Sequence, residues 1–399
     1  MGVSPPTDTG RWLTDPIECG HSAGFGVYLH VPFCHHRCGY CDFATEAVGG
    51  LAADDADDLY GRYVAAVRLD LARQVATGEA WPEVTSVFVG GGTPTILPPP
   101  LLASLVTAVG QELDLADGAE ITVECNPETA SEELFARLAE AGVTRVSMGA
   151  QSFAPGVLAT LERGHTPERP LEAVAQARGG GIGEVSLDLI YGTPGERYED
   201  WRRTLEMAIA AGTDHLSAYA LTVHDNTPFG RRVREGGLPA PDEDVQRERF
   251  DVAREVLGAA GFEHYELSNW ALGSHRRSDH NVLYWRHGDY LGVGVGAHGH
   301  RDGQRWWSTR STDRYLRAVE SGATPVAGRE HLDVEERALE RLLLGLRLRE
   351  GLHPADAPPI EPLALEDAMA VGLVTTSCGR LQCTADGWFL LDQAVARLT

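Results

Sequence analysis

The chain has 399 residues, 43% hydrophobic and 23% charged, which supports a buried core and excludes wholesale disorder. Acidic residues number 58 against 34 basic ones, and the formal charge of −24 disfavours binding to nucleic acid or to an anionic membrane. All 34 basic residues are arginine, which excludes chemistry that needs a lysine amine, such as Schiff bases or the phosphate-binding G-K-[ST] loop.

Residues 1–24 carry Pro, Gly, Thr and Asp without periodicity and are expected to form a loose leader. The first 15 residues hold no apolar run resembling a secretion signal, and no stretch approaches the ~20 apolar residues of a membrane span. Seven cysteines, odd in number and unevenly spaced, do not suggest a disulfide framework, so the expected setting is the reducing cytoplasm.

A βα rhythm then begins. Short apolar strands are expected at 26–31, 86–89, 121–124, 145–148, 185–190 and 215–221. Apolar residues at spacings of three and four predict helices at 54–75, 101–113, 131–141, 170–178 and 198–211. Six strands alternating with helices imply a parallel sheet, with the functional edge at the C-terminal strand ends. Six units are too few for an eightfold barrel, so the expected α/β fold is an open, partial (β/α)6 barrel, spanning residues 25–235.

The rhythm changes at 226–242, which is rich in Pro, Gly and Arg. A helix is expected at 243–260, and 263–310 is dense in His, Tyr, Trp, Asn and Gly. Residues 236–325 read as an extension of the barrel. An amphipathic helix at 334–349 and a helix-and-hairpin pattern after it indicate a smaller, mainly helical C-terminal domain over 326–399.

Cys34, Cys38 and Cys41 come just after the first strand with the spacing C-x3-C-x2-C. Three thiolates on so short a loop can hold three corners of a [4Fe–4S] cluster and leave one iron open to an exchangeable ligand. Zinc is the competing metal, with His35 or His36 as fourth ligand, but no second half of a zinc motif is present. Cys19, Cys125, Cys378 and Cys383 read as ordinary thiols. The segment 294–299, Gly-Val-Gly-Ala-His-Gly, matches a dinucleotide-binding pattern, yet residues 301–307 do not read as a helix, so a tight turn near the barrel mouth is expected instead.

The cysteine loop resembles that of the radical S-adenosylmethionine (SAM) superfamily. The resemblance implies a [4Fe–4S] cluster whose open iron chelates SAM. It also implies SAM-binding roles for Tyr28 on the first strand, for Gly91, Gly92 and Thr93 after the second and for Glu124 at the end of the third. Gln151, Arg163 and Asp188 complete that set.

The segments GVYLHVPFC, GGGTPT, ECNPE and RVSMGAQSF with GTPG resemble the oxygen-independent coproporphyrinogen III dehydrogenase group over about residues 25–395. That group holds both porphyrinogen-decarboxylating enzymes and haem chaperones. The enzymes carry a further cysteine where this chain has Phe43, and they have a longer N-terminal extension. Residues 280–285, His-Asn-Val-Leu-Tyr-Trp, match the H-N-x-x-Y-W motif of the chaperones. The resemblance thus implies a haem chaperone that delivers haem to an acceptor protein, with an electron donor to the cluster as another partner and membrane contact only through a partner. His280 is then a candidate axial ligand, and Asn281, Tyr284 and Trp285 candidate haem contacts; equally, Tyr284 and Trp285 can be core aromatics with His280 and Asn281 in a turn. His264, His275, His287, His298 and His300 lie nearby and are competing ligands.

Overall fold

The computed structural model describes residues 24–76 and 80–399, so nearly all of the expected leader, with Cys19, lies outside the described residues. Six strands form the centre: β1 (Phe25–Val31), β2 (Val84–Gly91), β3 (Leu115–Cys125), β4 (Arg145–Gln151), β5 (Glu184–Tyr191) and β6 (His215–Ala220). They lie side by side in chain order, every consecutive pair parallel. A doubly wound sheet would reverse direction at a switch point. These six strands have none, and the winding is that of the expected partial barrel.

Helices α1 (Ala53–Val75), α2 (Pro99–Glu112), α3 (Glu132–Glu140), α4 (Pro155–Thr160), α5 (Arg169–Gly179) and α6 (Tyr198–Ala210) fill the crossovers. Their starts reflect local chemistry. Ser131 caps α3 by accepting from the Leu134 N–H at 3.2 Å, and proline occupies the first turn of α2, α4 and α5. The strands alternate with period two. Val123, Val146, Met148, Val185, Leu187 and Leu216 are fully buried under the helices, while Thr122, Glu124, Ser147, Asp188 and Ser217 face the lumen.

Residues after β6 widen the sheet at both ends. Helices α7 (Pro228–Arg234) and α8 (Glu243–Ala259) lead to β7 (Glu263–Glu266) and β8 (Asn269–Ala271), with β8 antiparallel to β6. After α9 (Asp279–Trp285) the chain returns to the other edge as β9 (Asp289–Val293), parallel to β1. There β10 (His298–Arg301), β11 (Gln304–Ser308), α10 (Thr312–Glu320) and β12 (Val326–His331) complete the extension. The sheet has 12 strands in the order β12-β11-β10-β9-β1-β2-β3-β4-β5-β6-β8-β7. Its end strands β7 and β12 do not pair, so the barrel is open.

In the Gly294–Gly299 segment, residues 294–297 form the turn between β9 and β10, and His298 and Gly299 already belong to a strand rather than a helix. Gly294 has φ +109° and packs so closely that a Cβ would lie 2.7 Å from the His30 carbonyl oxygen. The dinucleotide pattern is therefore a turn.

The C-terminal elements are α11 (Val334–Gly345), α12 (Pro362–Ala370), the hairpin β13 (Val374–Ser377) and β14 (Arg380–Cys383), α13 (Ala385–Phe389) and α14 (Leu391–Leu398). They share a separate small core around Leu342, Leu346, Leu373 and Leu381. Helix α11 stops before Arg349, where periodicity would end it. Beyond Gly345 the backbone leaves the helix: the Arg347 carbonyl accepts from Leu267 N–H at 3.0 Å and Arg349 N–H donates to Tyr265 at 2.9 Å. Pairing with the β7 edge displaces the last helical turn.

Candidate functional site at the barrel mouth

The three motif cysteines sit on the loop after β1, above the C-terminal strand ends, and line a cavity of about 490 Å³ together with Gly91, Gly92, Thr93, Gln151 and Arg163. The sequence-predicted cluster and SAM residues are thus brought together, with one exception. Tyr28 lies deeper, in a second cavity of about 210 Å³. Glu124 and Asp188 line both, so the two spaces meet at these carboxylates.

The thiols are half-buried, and burial pushes Cys34 up to about 11 while a 3.8 Å contact from the Thr93 hydroxyl opposes the shift. Metal binding would therefore release protons. Among the described residues no three His, Cys, Asp or Glu side chains converge tightly enough to enclose a single ion. Three spaced thiols suit the corners of a cluster better than a closed zinc site.

Each neighbour of the loop is set by local structure. Gly91 has φ +118°, reached easily only by glycine, and its N–H donates to Glu124 Oε2 at 2.8 Å. Burial pushes the Glu124 carboxyl up to about 7; the Gly91 bond opposes this and the Asp188 charge adds to it. Asp188 is raised chiefly by burial as well, and accepts from the Ser147 hydroxyl at 3.1 and 3.0 Å. Arg163 donates to the Gly149 carbonyl at 2.9 Å and lies 3.6 Å from Cys38 Sγ, while its buried Nε has no partner. Gln151 sits in a bulge at φ +62°, where β4 slips against β5.

An unpartnered guanidinium nitrogen, two carboxylates and a glycine-lined backbone fit an amino-acid-bearing sulfonium nucleotide. Arg163 would hold its carboxylate, Glu124 and the 91–93 segment its ammonium end, and Asp188 its ribose. When bound, the cluster and SAM together supply reducing-electron and radical chemistry; the chain's own groups bind, orient and exclude water.

The inner cavity is polar in layers. Thr122, Arg145 and Glu184 are neighbours across strands, then Glu124, Ser147, Ser186 and His215, then Gly149, Asp188 and Ser217. Ser217 and Tyr219 lie in no motif, and Ser147 carries no assigned role within its own, yet the two-residue alternation on β4 and β6 marks all three. At the floor, Arg145, 3% exposed, pairs with Glu120 at 3.0 Å and Glu184 at 2.6 Å. Glu120 also accepts from the backbone N–H of Asp279 and His280 at 3.1 and 3.2 Å and from the Ser278 hydroxyl at 3.3 Å, fastening the start of α9 beneath the lumen.

Residues 280–285 lie around this floor. His280, 1% exposed, engages Ser86 Oγ through Nδ1 and Tyr284 Oη through Nε2, both at 2.9 Å, and stacks on Phe88. Burial lowers it to about 3. Both ring nitrogens are thus hydrogen-bonded within the fold. Asn281 and Tyr284 also line the inner cavity, whereas Trp285 lies apart from it, 4.0 Å beneath the Arg347 guanidinium. The packing alternative differs as well: His280 and Asn281 lie in helix α9 rather than a turn, and Tyr284 and Trp285 are half-buried. His264 is stacked on Trp270 with centroids 4.0 Å apart, and His287 and His300 pack on each other at 4.6 Å.

The radical SAM superfamily model matches residues 28–208. The heme chaperone HemW of Mycobacterium tuberculosis (strain ATCC 25618 / H37Rv) is 44% identical over 94% of this chain and 94% of its own. The heme chaperone HemW of Escherichia coli (strain K12) is 34% identical over 92% of this chain and 96% of its own. Among solved structures, the coproporphyrinogen III oxidase HemN from Escherichia coli, described as a radical SAM enzyme, superposes with a TM-score of 0.78 over 94% of this chain and 90% of that one, at 20% identity, a likeness of fold. Superfamily membership implies the [4Fe–4S] cluster and SAM. No helix of the described residues is long and apolar enough to cross a membrane. By its cysteine loop, its barrel and its near full-length similarity to these relatives, the chain belongs to the HemW family of the radical SAM superfamily.

Proposed function

We propose that this protein is a haem chaperone: it holds a [4Fe–4S] cluster on Cys34, Cys38 and Cys41, binds SAM beside it, and carries haem to an acceptor protein in the cytoplasm. The observation that carries this reading is near full-length similarity to HemW chaperones at 34–44% identity, with Phe43 standing where the porphyrinogen-oxidising enzymes have a further cysteine. Phe43 is 61% exposed at the rim of the mouth cavity.

Tyr28, Gly91, Gly92, Thr93, Glu124, Gln151, Arg163 and Asp188 are proposed as the SAM residues, Tyr28 acting from below through the shared carboxylate wall. The inner cavity, about 210 Å³, falls short of the ~300 Å³ lower bound of ordinary small-molecule pockets, which opposes a tetrapyrrole substrate entering the lumen.

The test is anaerobic incubation of cluster-loaded protein with SAM, reductant and coproporphyrinogen III, read by mass spectrometry, alongside transfer of bound haem to an apo-haemoprotein. Haem transfer with no tripropionate or divinyl product is expected. Decarboxylated product would overturn the chaperone reading and make the protein a porphyrinogen dehydrogenase.

A further inference from the structure

No motif cysteine lines the inner cavity, and of the proposed SAM residues only Tyr28, Glu124 and Asp188 reach it. Its volume of about 210 Å³ equals the liquid share of roughly seven waters, enough for one compact small molecule. Most polar groups on its wall are committed to one another. Ser147 and Ser217 both serve Asp188, and the Ser186 hydroxyl meets His215 Nδ1 at 2.8 Å. The Tyr28 and Tyr284 hydroxyls engage His30 and His280, each at 2.9 Å.

Two groups are not committed, and they are neighbours. Thr122 on β3 and Arg145 on β4 are register partners at the floor of the cavity, 1% and 3% exposed. Arg145 Nε donates to Glu120, and its Nη2 donates to the Arg276 and Arg277 carbonyls beside Glu184. Among the described residues, Arg145 Nη1 and Thr122 Oγ1 have no hydrogen-bond partner. A buried donor left unmet is costly, and two side by side on one cavity wall mark a place for an acceptor from outside the chain. Other buried atoms of this kind, such as Thr193 Oγ1 and Trp270 Nε1, line neither cavity.

Charge selects what can fill the space. The walls and floor hold Glu120, Glu124, Glu184 and Asp188 against the guanidiniums of Arg145 and Arg276. No positive charge is in surplus, so an anion is repelled. An ammonium at the floor would face Arg145 Nη1, which can only donate. A neutral hydroxyl satisfies both groups: it accepts from Nη1 and shares a hydrogen bond with Thr122. Beside Thr122 in register is Phe88, which with Tyr28 and Tyr284 makes part of the wall aromatic. Hydroxyls at the floor and flat rings next to them suit a molecule with polar edges and a C–H face.

We propose that the inner cavity binds a small neutral polyol, no larger than a pentose, with one hydroxyl on Arg145 Nη1 and Thr122 Oγ1 and its carbon face against Phe88 and Tyr28. The site is separate from haem carriage and stands without it. The ion pairs of the floor hold the fold, and the one guanidinium nitrogen they leave over takes an uncharged partner.

The test is calorimetric titration of the cluster-loaded full-length protein with glycerol, erythritol and D-ribose, and with acetate as an anionic probe. Crystals soaked in the tightest binder then show where it sits. Saturable binding of at least one polyol is expected, and none of acetate. Thr122→Val keeps the side-chain shape without the hydroxyl and is expected to bind that polyol about two- to tenfold more weakly. Thr122→Ser is expected to restore the affinity, with iron content and SAM binding unchanged in both variants. Four results would each overturn the site: no saturable binding of any of the three polyols, tighter binding of acetate, an unchanged affinity in Thr122→Val, or density in the soaked cavity for ordered water only.

Discussion

The mouth and the floor of the barrel are built from the same strands and treat charge in opposite ways. At the floor Arg145 is ion-paired with Glu120 and Glu184, although its Nη1 has no hydrogen-bond partner among the described residues, and Glu120 is matched again by the start of α9. At the mouth Arg163 keeps a buried Nε without a partner, and Glu124 is held by the single Gly91 N–H. Charges paired with opposite charges within the chain stabilise a fold; a charge without a counter-ion is free to take one from a ligand. One lumen is therefore a structural joint at one end and a candidate binding site at the other.

Substitutions that separate these two roles test the contrast. The largest expected effect is at the mouth: Cys34→Ala, Cys38→Ala or Cys41→Ala loses the cluster, read as iron per chain, while the denaturant midpoint of the metal-free protein stays within about 1 kcal/mol of wild type. At the floor the converse holds. Arg145→Met leaves the buried Glu120 without its cation, while Glu184 keeps Arg276 at 3.0 Å, and is expected to cost about 3–5 kcal/mol of folding stability, measured by urea unfolding. Equal destabilisation by both kinds of substitution would erase the distinction.

Glu124 sharpens it through pH. Its folded-state carboxyl sits at about 7, above the ordinary value of 4.5. A raised acid contributes stability that is present below about 4.5 and lost as pH rises through about 7. SAM, carrying an ammonium, favours the ionised carboxylate, so its affinity should rise over the window in which the ligand-free fold weakens. Glu124→Gln flattens both profiles; calorimetric titration of SAM between about pH 5.5 and 8.5, with parallel unfolding curves, would expose a failure of either.

Smaller effects complete the series. Ser278→Ala removes the N-cap of α9 and one contact to Glu120, an expected loss of about 1 kcal/mol. Phe43→Ser, at an exposed rim position, is expected to change stability by no more than about 0.5 kcal/mol. Thermal melts of the two variants side by side should therefore differ, with only the floor variant shifted.

The two ends also differ in how plainly they could be read. The mouth was legible because its chemistry is local: three cysteines in eight positions, a glycine run after β2, an acidic residue ending β3. The six central strands were legible for a related reason, their apolar runs being punctuated by glycine and by capped helices. The floor was not, because its logic joins distant positions. Nothing near residues 278–285 announces that Glu120 receives the start of α9, or that the His280 ring is held by Ser86 beside the lumen. The last turn of α11 failed likewise: Arg347 and Arg349 continue the helical period, and only the edge of β7 explains why the backbone leaves it. Lumen residues such as Ser147 and Tyr219 were within reach, since they fall two residues apart along strands whose other face is wholly apolar.

The α9 joint also bears on how the protein is made. Its two halves lie 158–160 positions apart, and β1, the strand bearing the cysteine loop, gains its second neighbour only when residues 289–293 have been added. At ~5–20 residues per second of synthesis, roughly 10–50 s separates emergence of the cysteines from emergence of the segment that seals the barrel beneath them. For that interval the thiols stand over an unsealed barrel, exposed to oxygen and stray metals. A nascent protein arrested before residue 278 is expected to hold less iron than the full chain, measured as iron per chain.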